Sequence, residues 1–121
     1  CIATAHAPRS AEEKSKGLEK SAFGIVGLET AFPLLYTKLV RPGTVPLSRV
    51  VEALCEAPRR RFGIPFGNDF SIWEIETPYK VDPEEFESKG RSTPLAGMEL
   101  VGRCVCTLRD GKPVWFEKKY V

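Results

Sequence analysis

His6 is the only histidine in this 121-residue chain. The four cysteines, Cys1, Cys55, Cys104 and Cys106, do not make up the shortfall, because none of them is spaced for a closed metal site. Any metal chemistry therefore needs ligands from elsewhere. An excess of charge of one sign is also missing. With 18 basic and 16 acidic residues the net charge is +2, which gives no electrostatic case for nucleic acid or an anionic membrane. No apolar run spans a bilayer, since the stretch over residues 28–40 is too short and too interrupted. A signal-peptide shape, an internal repeat and a low-complexity tract are likewise lacking. Cys104 and Cys106 are two apart in a strand-like segment and share one face, a poor geometry for a mutual disulfide. All four cysteines read as reduced thiols in a cytoplasmic protein.

The chain is organised around residues 21–40, SAFGIVGLETAFPLLYTKLV. Leu28, Ala31, Phe32, Leu35, Tyr36 and Leu39 recur at three- and four-residue spacing, which predicts a helix with a buried face. Ile25, Val26, Leu34 and Val40 make the segment apolar on nearly all sides, as in a helix inside a larger body. Glu29 suits its positive end and Lys38 its negative end. A start near Thr30, with Thr30 as cap, makes Pro33 tolerable in the first turn. Phe23-Gly24 then precedes a helix N-terminus, where free N–H groups can meet an anion or a polar ligand. The plainer alternative is a tight turn that needs glycine.

By length the chain is one domain at most, or part of one. It opens at Cys1 without methionine and goes straight into Ile2-Ala3-Thr4. Residues 1–5 read as a buried strand, a first sign of a fragment. Pro8 pushes Ala7 toward extended geometry and ends that strand in a rigid loop carrying His6. Residues 11–20, AEEKSKGLEK, read as a solvated excursion with the length of a cover loop. Arg41-Pro42-Gly43 stops the central helix. A second helix opens at Thr44 or Val45 with Pro46 in its first turn, and Leu47, Val50, Val51 and Leu54 form its apolar stripe. Ala57-Pro58 ends it, and Arg59-Arg60-Arg61-Phe62-Gly63 reads as a solvated turn rather than a phosphate site.

From Gly67 the period changes. Phe70, Ile72, Trp73 and Ile75 form a strand, and Tyr79-Lys80-Val81 follow. Asp82-Pro83-Glu84-Glu85 has the cap, proline and first-turn acids of a short helical turn. Leu100 to Leu108 reads as the longest strand. Asp110-Gly111 is a strong hairpin signal into Val114-Trp115-Phe116, and Pro113 puts that last strand at a sheet edge. Helices first and small antiparallel structure afterwards give an α+β order.

Two stretches carry a resemblance: IATAHAPRSAEEKSKGLEKSAFGIVGLETAFPLLYTKLV, and VDPEEFESKGRSTPLAGMELVGR. The first resembles the last β/α unit of bacterial dihydroorotases, members of the amidohydrolase superfamily, and the likeness covers nearly the whole chain. It implies an α+β fragment: the last β/α unit of a metal-dependent (β/α)8 barrel plus part of the C-terminal β-sandwich. Residues 1–63 would be the C-terminal end of the barrel, with its last strand, loop and two helices. Residues 64–121 would belong to the small sandwich.

The implied activity is zinc-dependent hydrolysis of a cyclic amide, interconverting dihydroorotate and N-carbamoyl-aspartate in pyrimidine biosynthesis. In the family an aspartate opening a DHAPH motif is metal ligand and general acid/base. This chain reads Ala5-His6-Ala7-Pro8-Arg9, so a methyl stands at the aspartate position and no catalytic residue is retained. Arg9 replaces the motif's second, substrate-binding histidine and can still pair with a carboxylate. Phe23 and Gly24 match the substrate-contacting loop. Between Gly63 and Phe70 the family has several more residues than Ile64-Pro65-Phe66 provide. The expectation is a dihydroorotase fragment that is inactive by itself and holds no zinc alone. The alternative is a noncatalytic dihydroorotase-like subunit that partners aspartate carbamoyltransferase. A homodimer is a further possible assembly, and neither nucleic acid nor membrane is an expected partner.

Overall fold

A string of short helices fills the first half of the chain and two small antiparallel sheets fill the second. The computed structural model describes residues 1–117. Its helices are α1 (Ala11–Lys14), α2 (Ala31–Leu35), α3 (Leu47–Val51) and α4 (Ala57–Phe62). Its strands are β1 (Phe70–Glu74), β2 (Tyr79–Lys80), β3 (Glu99–Leu100), β4 (Arg103–Arg109) and β5 (Lys112–Phe116). A single 3₁₀ turn, Pro83–Glu85, follows β2, and Asp82 Oδ1 caps it by accepting the Glu84 N–H at 3.0 Å.

The central helix is present but starts later than the periodicity of Leu28 suggests. It begins at Ala31, and Pro33 sits buried in its first turn, where no intrahelical bond is lost. Thr30 stands at the cap position and makes no side-chain cap bond; it is buried. Beyond Leu35 the helix widens into π-type i→i+5 bonding over Tyr36–Val40, ending with the Arg41 N–H on the Tyr36 carbonyl at 2.9 Å.

The same widening corrects the expected break at Ala57-Pro58. After α3 the chain is π-helical over Glu52–Glu56, and it continues as α4 through Pro58 to Phe62. In a regular helix the Pro58 ring would collide with the carbonyl four residues earlier, and the wider turn removes that clash. Gly63 ends the helix in the left-handed conformation (φ 65°), donating to the Arg59 carbonyl. The three arginines therefore lie on a helix. Arg60 bridges Glu52 and Glu56, and Arg59 donates to the Pro65 carbonyl at 2.5 Å while its guanidinium lies 5.3 Å from the Phe66 ring centroid. Pro46 occupies the cap position of α3, one residue before the helix, and not its first turn.

The long strand expected from Leu100 to Leu108 is two strands. Val101-Gly102 separates β3 from β4, and Gly102 takes a φ of 104°. A side chain there would lie 3.3 Å from the Phe32 ring and 3.4 Å from Pro33 Cα, so glycine lets α2 sit directly against the strand break. The larger sheet has the order β1-β4-β5, and β5, which carries Pro113, is an edge as expected. Asp110 (φ 49°) and Gly111 (φ 72°) form the β4–β5 turn, the paired positive-φ geometry of a tight hairpin.

One face of this sheet, with Ser71, Trp73, Thr107 and Trp115, turns toward α2, where the Phe32 and Trp73 rings meet tilted at 43° with 4.5 Å between centroids. The other face aligns Ile72, Cys106 and Phe116 across three strands. Around the smaller pair, β2–β3, Leu100 of β3 is fully buried and the flanking Val81 and Val101 nearly so, as are Val26 and Val50 in the first half.

Residues 1–5 are not a strand. Among the described residues the only ladder contact here is a parallel bridge between His6 and Ile25, just past the stretch. A strand needs a neighbour on which to place its N–H and C=O groups. Here Ile2 donates to Ala53 and Ala7 to Ile25, and no ladder forms.

Candidate functional site

Three segments meet at the end of the 1–5 stretch: residues 5–10, residues 22–28 and residues 87–92. His6 ties the first two together. Its Nδ1 accepts the N–H groups of Gly27 at 3.3 Å and Leu28 at 3.2 Å, which puts the ring proton on Nε2. Ala7 then donates to the Ile25 carbonyl at 2.9 Å. Gly24 lies so close to this strand end that a Cβ would stand 2.3 Å from the Ala7 carbonyl oxygen, and its φ is 131°. No other residue fits there. Phe23-Gly24 is separated from α2 by residues 25–30, so the expected position just before a helix N-terminus is not what the structure has.

Ala5 takes a φ of 48°. That left-handed region is costly for alanine and much less so for aspartate or asparagine, whose short polar side chains bond locally. The backbone thus has the shape of a polar residue's position while the side chain is a methyl.

Arg9 is committed on two sides. Its Nε donates to the Phe23 carbonyl at 3.1 Å, and Nη1 reaches Glu13 Oε1 at 3.4 Å. Glu13 in turn accepts the Ser10 N–H on Oε2 at 2.9 Å, and its own N–H donates to Ser10 Oγ at 3.1 Å, a reciprocal capping box on α1. The Ser10 N–H, then the Ser10 hydroxyl and, more weakly, Arg9 hold the Glu13 carboxyl below the usual carboxylate range. The N–H groups of Phe23 and Gly24 have no hydrogen-bond partner among the described residues. Phe23 itself is 93% exposed.

The third segment closes on the first two. Gly90 packs so tightly that a Cβ would come within 2.8 Å of Pro8 Cβ and 3.2 Å of the Arg9 backbone. Val26 donates to the Ser92 carbonyl at 2.8 Å. Glu29, expected at the helix dipole, instead accepts the N–H groups of Glu87 at 2.9 Å and Ser88 at 3.1 Å. Its two oxygens clamp the loop that carries Gly90.

Behind this junction lies an open groove of about 460 Å³ between Trp73, Phe86 and Trp115. Its charged rim is already engaged: Arg103 pairs with Glu85 and Glu117, and Glu87 accepts the Trp115 indole N–H at 3.0 Å. All four cysteines are free thiols. Burial, above all, pushes the Cys104 thiol up, which suits an inert side chain rather than a nucleophile.

The zinc implied by the resemblance finds no donor set. Among the described residues no group of three or more His, Cys, Asp or Glu side chains could hold a metal ion, and the His6 Nδ1 is occupied by two N–H groups. The residues present do not fit the metal.

Sequence reasoning placed Arg9, Phe23 and Gly24 at one site, and the structure brings them together. It missed Glu13 and the clamp made by Glu29. Ser10-Ala11-Glu12-Glu13 carries the S-x-x-E spacing of a capping box, a signal that could have singled out Glu13. Glu29 and the 87–88 loop are far apart in sequence, and no local pattern pairs them.

No family model matches the chain. Curated relatives do. The dihydroorotase of Halalkalibacterium halodurans is 48% identical over 125 residues, covering 98% of this chain and 29% of that protein. Those of Bacillus cytotoxicus and Brevibacillus brevis are 47% and 46% identical over 121 residues, each covering 94% of this chain and 28% of the relative. Among solved structures, L-hydantoinase (dihydropyrimidinase) from Arthrobacter aurescens superposes with a TM-score of 0.74 at 33% identity, over 82% of this chain and 24% of that one. The chain spans less than a third of the length of the curated relatives it matches.

Proposed function

We propose that this chain, related to the dihydroorotases over nearly its whole length, is the C-terminal part of such a protein. Residues 1–63 are the closing β/α unit of a (β/α)8 amidohydrolase barrel, and residues 64–121 contribute to a small β-sandwich. The whole protein would act on dihydroorotate and N-carbamoyl-aspartate, and this segment by itself would not turn them over. The observation that carries this reading is the pair of unpartnered N–H groups at Phe23 and Gly24, beside a guanidinium at Arg9.

Two free N–H donors next to an arginine suit a carboxylate, which both substrate forms carry. Arg9 Nη2 has no partner among the described residues and is the nitrogen left for that contact. Ala5 moves no proton. The metal would have to be held by residues outside this chain. The alternative, a noncatalytic subunit partnering aspartate carbamoyltransferase, is favoured by one feature: both the proton-moving position and the second motif histidine are replaced, while the loop scaffold is intact.

The test is a chimera in which this chain replaces the matching segment of the Bacillus cytotoxicus dihydroorotase. A folded chimera that binds dihydroorotate, by calorimetry, without hydrolysing it supports the reading. A folded chimera without binding would sink it.

A further inference from the structure

We propose that Glu13 is a positioning residue that fixes the Phe23-Gly24 loop through Arg9. Two of its groups make three bonds at once. Its carboxylate holds the Ser10 N–H and the Arg9 guanidinium, and its carbonyl accepts the Ala22 N–H at 3.2 Å. Arg9 passes the restraint on by donating to the Phe23 carbonyl. Neighbouring bonds close the same ring: Lys14 Nζ donates to the Ala22 carbonyl at 3.1 Å, and Ser21 Oγ to the Lys14 carbonyl at 2.8 Å. Residues 10–23 are thus a closed loop whose two ends are joined through one carboxylate, and not the loosely solvated excursion that their composition suggests.

The consequence is directional. With its carbonyl held from the Arg9 side, the Phe23–Gly24 unit keeps its N–H groups free and its ring outward. Arg9 by itself could swing, since arginine carries much rotamer freedom. The Glu13 carboxylate, itself fixed by the capping box, restricts that swing. That this matters for substrate rests on the function proposed above, whereas the restraint itself does not.

Hydrogen exchange on the 121-residue chain tests the restraint without any substrate. Glu13→Gln is the informative variant, because glutamine preserves a capping box but cannot form the ion pair. It should speed exchange of the Arg9 Nε–H and the Ala22 N–H about threefold to tenfold, and leave Lys14 and Ser15 within about twofold. Glu13→Ala should speed both sets. Arg9→Ala should match Glu13→Gln at Ala22, with no further gain in the double variant. Unchanged Ala22 exchange in Glu13→Gln or in Arg9→Ala would overturn the proposal. So would an equal rise at Ser15, which would make Glu13 a helix cap only. Lost protection at Val81 and across β4 would overturn it too, because the residue would then support the whole fold. Failure of the chimera to bind dihydroorotate leaves these readouts standing.

Discussion

Thr37 serves Val101 as a strand partner would: its Oγ1 accepts the Val101 N–H at 2.8 Å and donates to the Val101 carbonyl at 3.1 Å. Val101 is 2% exposed and lies at the break between β3 and β4, where no ladder partner is available. Thr37→Val keeps the shape and removes both bonds, so it should destabilise the chain by about 1–3 kcal/mol. Thr37→Ser should recover most of the loss. Denaturant midpoints for the two variants check this, and equal midpoints for Thr37→Val and the parent would contradict it.

Tyr79 gives a pH signature. Burial dominates and pushes its phenol up to about 12, with Arg103, 4.4 Å from the ring centroid, pulling the other way. The folded value is raised above the ordinary one of about 10, so the folded state resists ionisation. Its contribution to stability is complete below pH ~10 and is lost as pH rises toward 12. Phenolate absorbance should therefore show a late step that Tyr79→Phe abolishes. Unfolding of the chain should accompany that step.

The face aligned by Ile72, Cys106 and Phe116 predicts self-association of the 121-residue chain. Ile72 and Phe116 are each 48% exposed, next to Phe70 at 54%. Apolar patches of that kind drive association. Light scattering should detect oligomers, and Ile72→Thr with Phe116→Thr should reduce them. A monodisperse parent with a sharp melt would count against this.

Chelator dialysis followed by metal analysis should leave less than stoichiometric zinc on the chain. His6 Nδ1 is already an acceptor for two N–H groups, and no donor cluster exists among the described residues. Retained equimolar zinc would contradict the account.

Much of the second half was legible because its signals are local. Asp110-Gly111 set the hairpin, Pro113 the edge and Asp82-Pro83 the short turn. The misses share one cause, which is packing at a distance. Gly102 breaks a strand-like run because α2 leans on it, and Pro58 stays helical because the preceding turn widens. Residues 1–5 look like a strand by composition, but a strand forms only where a neighbour accepts its bonds. At the site, the residues of the Phe23-Gly24 loop suggested a glycine turn, and only the family resemblance singled it out as a contact loop. Its attachments were not legible, because they run through His6, Arg9, Glu13 and Glu29 to partners up to 59 positions away.

Under the proposed function, Ala5 leaves the proton-moving position of a dihydroorotase segment without a side chain that can move a proton. Its backbone there, at φ 48°, already suits a short polar side chain. The direct measurement is dihydroorotate hydrolysis by the Bacillus cytotoxicus chimera, followed by ring absorbance, with and without Ala5→Asp. With Ala5 the chimera should turn over no faster than the assay background, and Ala5→Asp should raise the rate on the order of 10²–10⁴-fold above that background, the usual contribution of a general acid/base. Equal turnover with and without the substitution, or none from a folded, dihydroorotate-binding Ala5→Asp chimera, would contradict it.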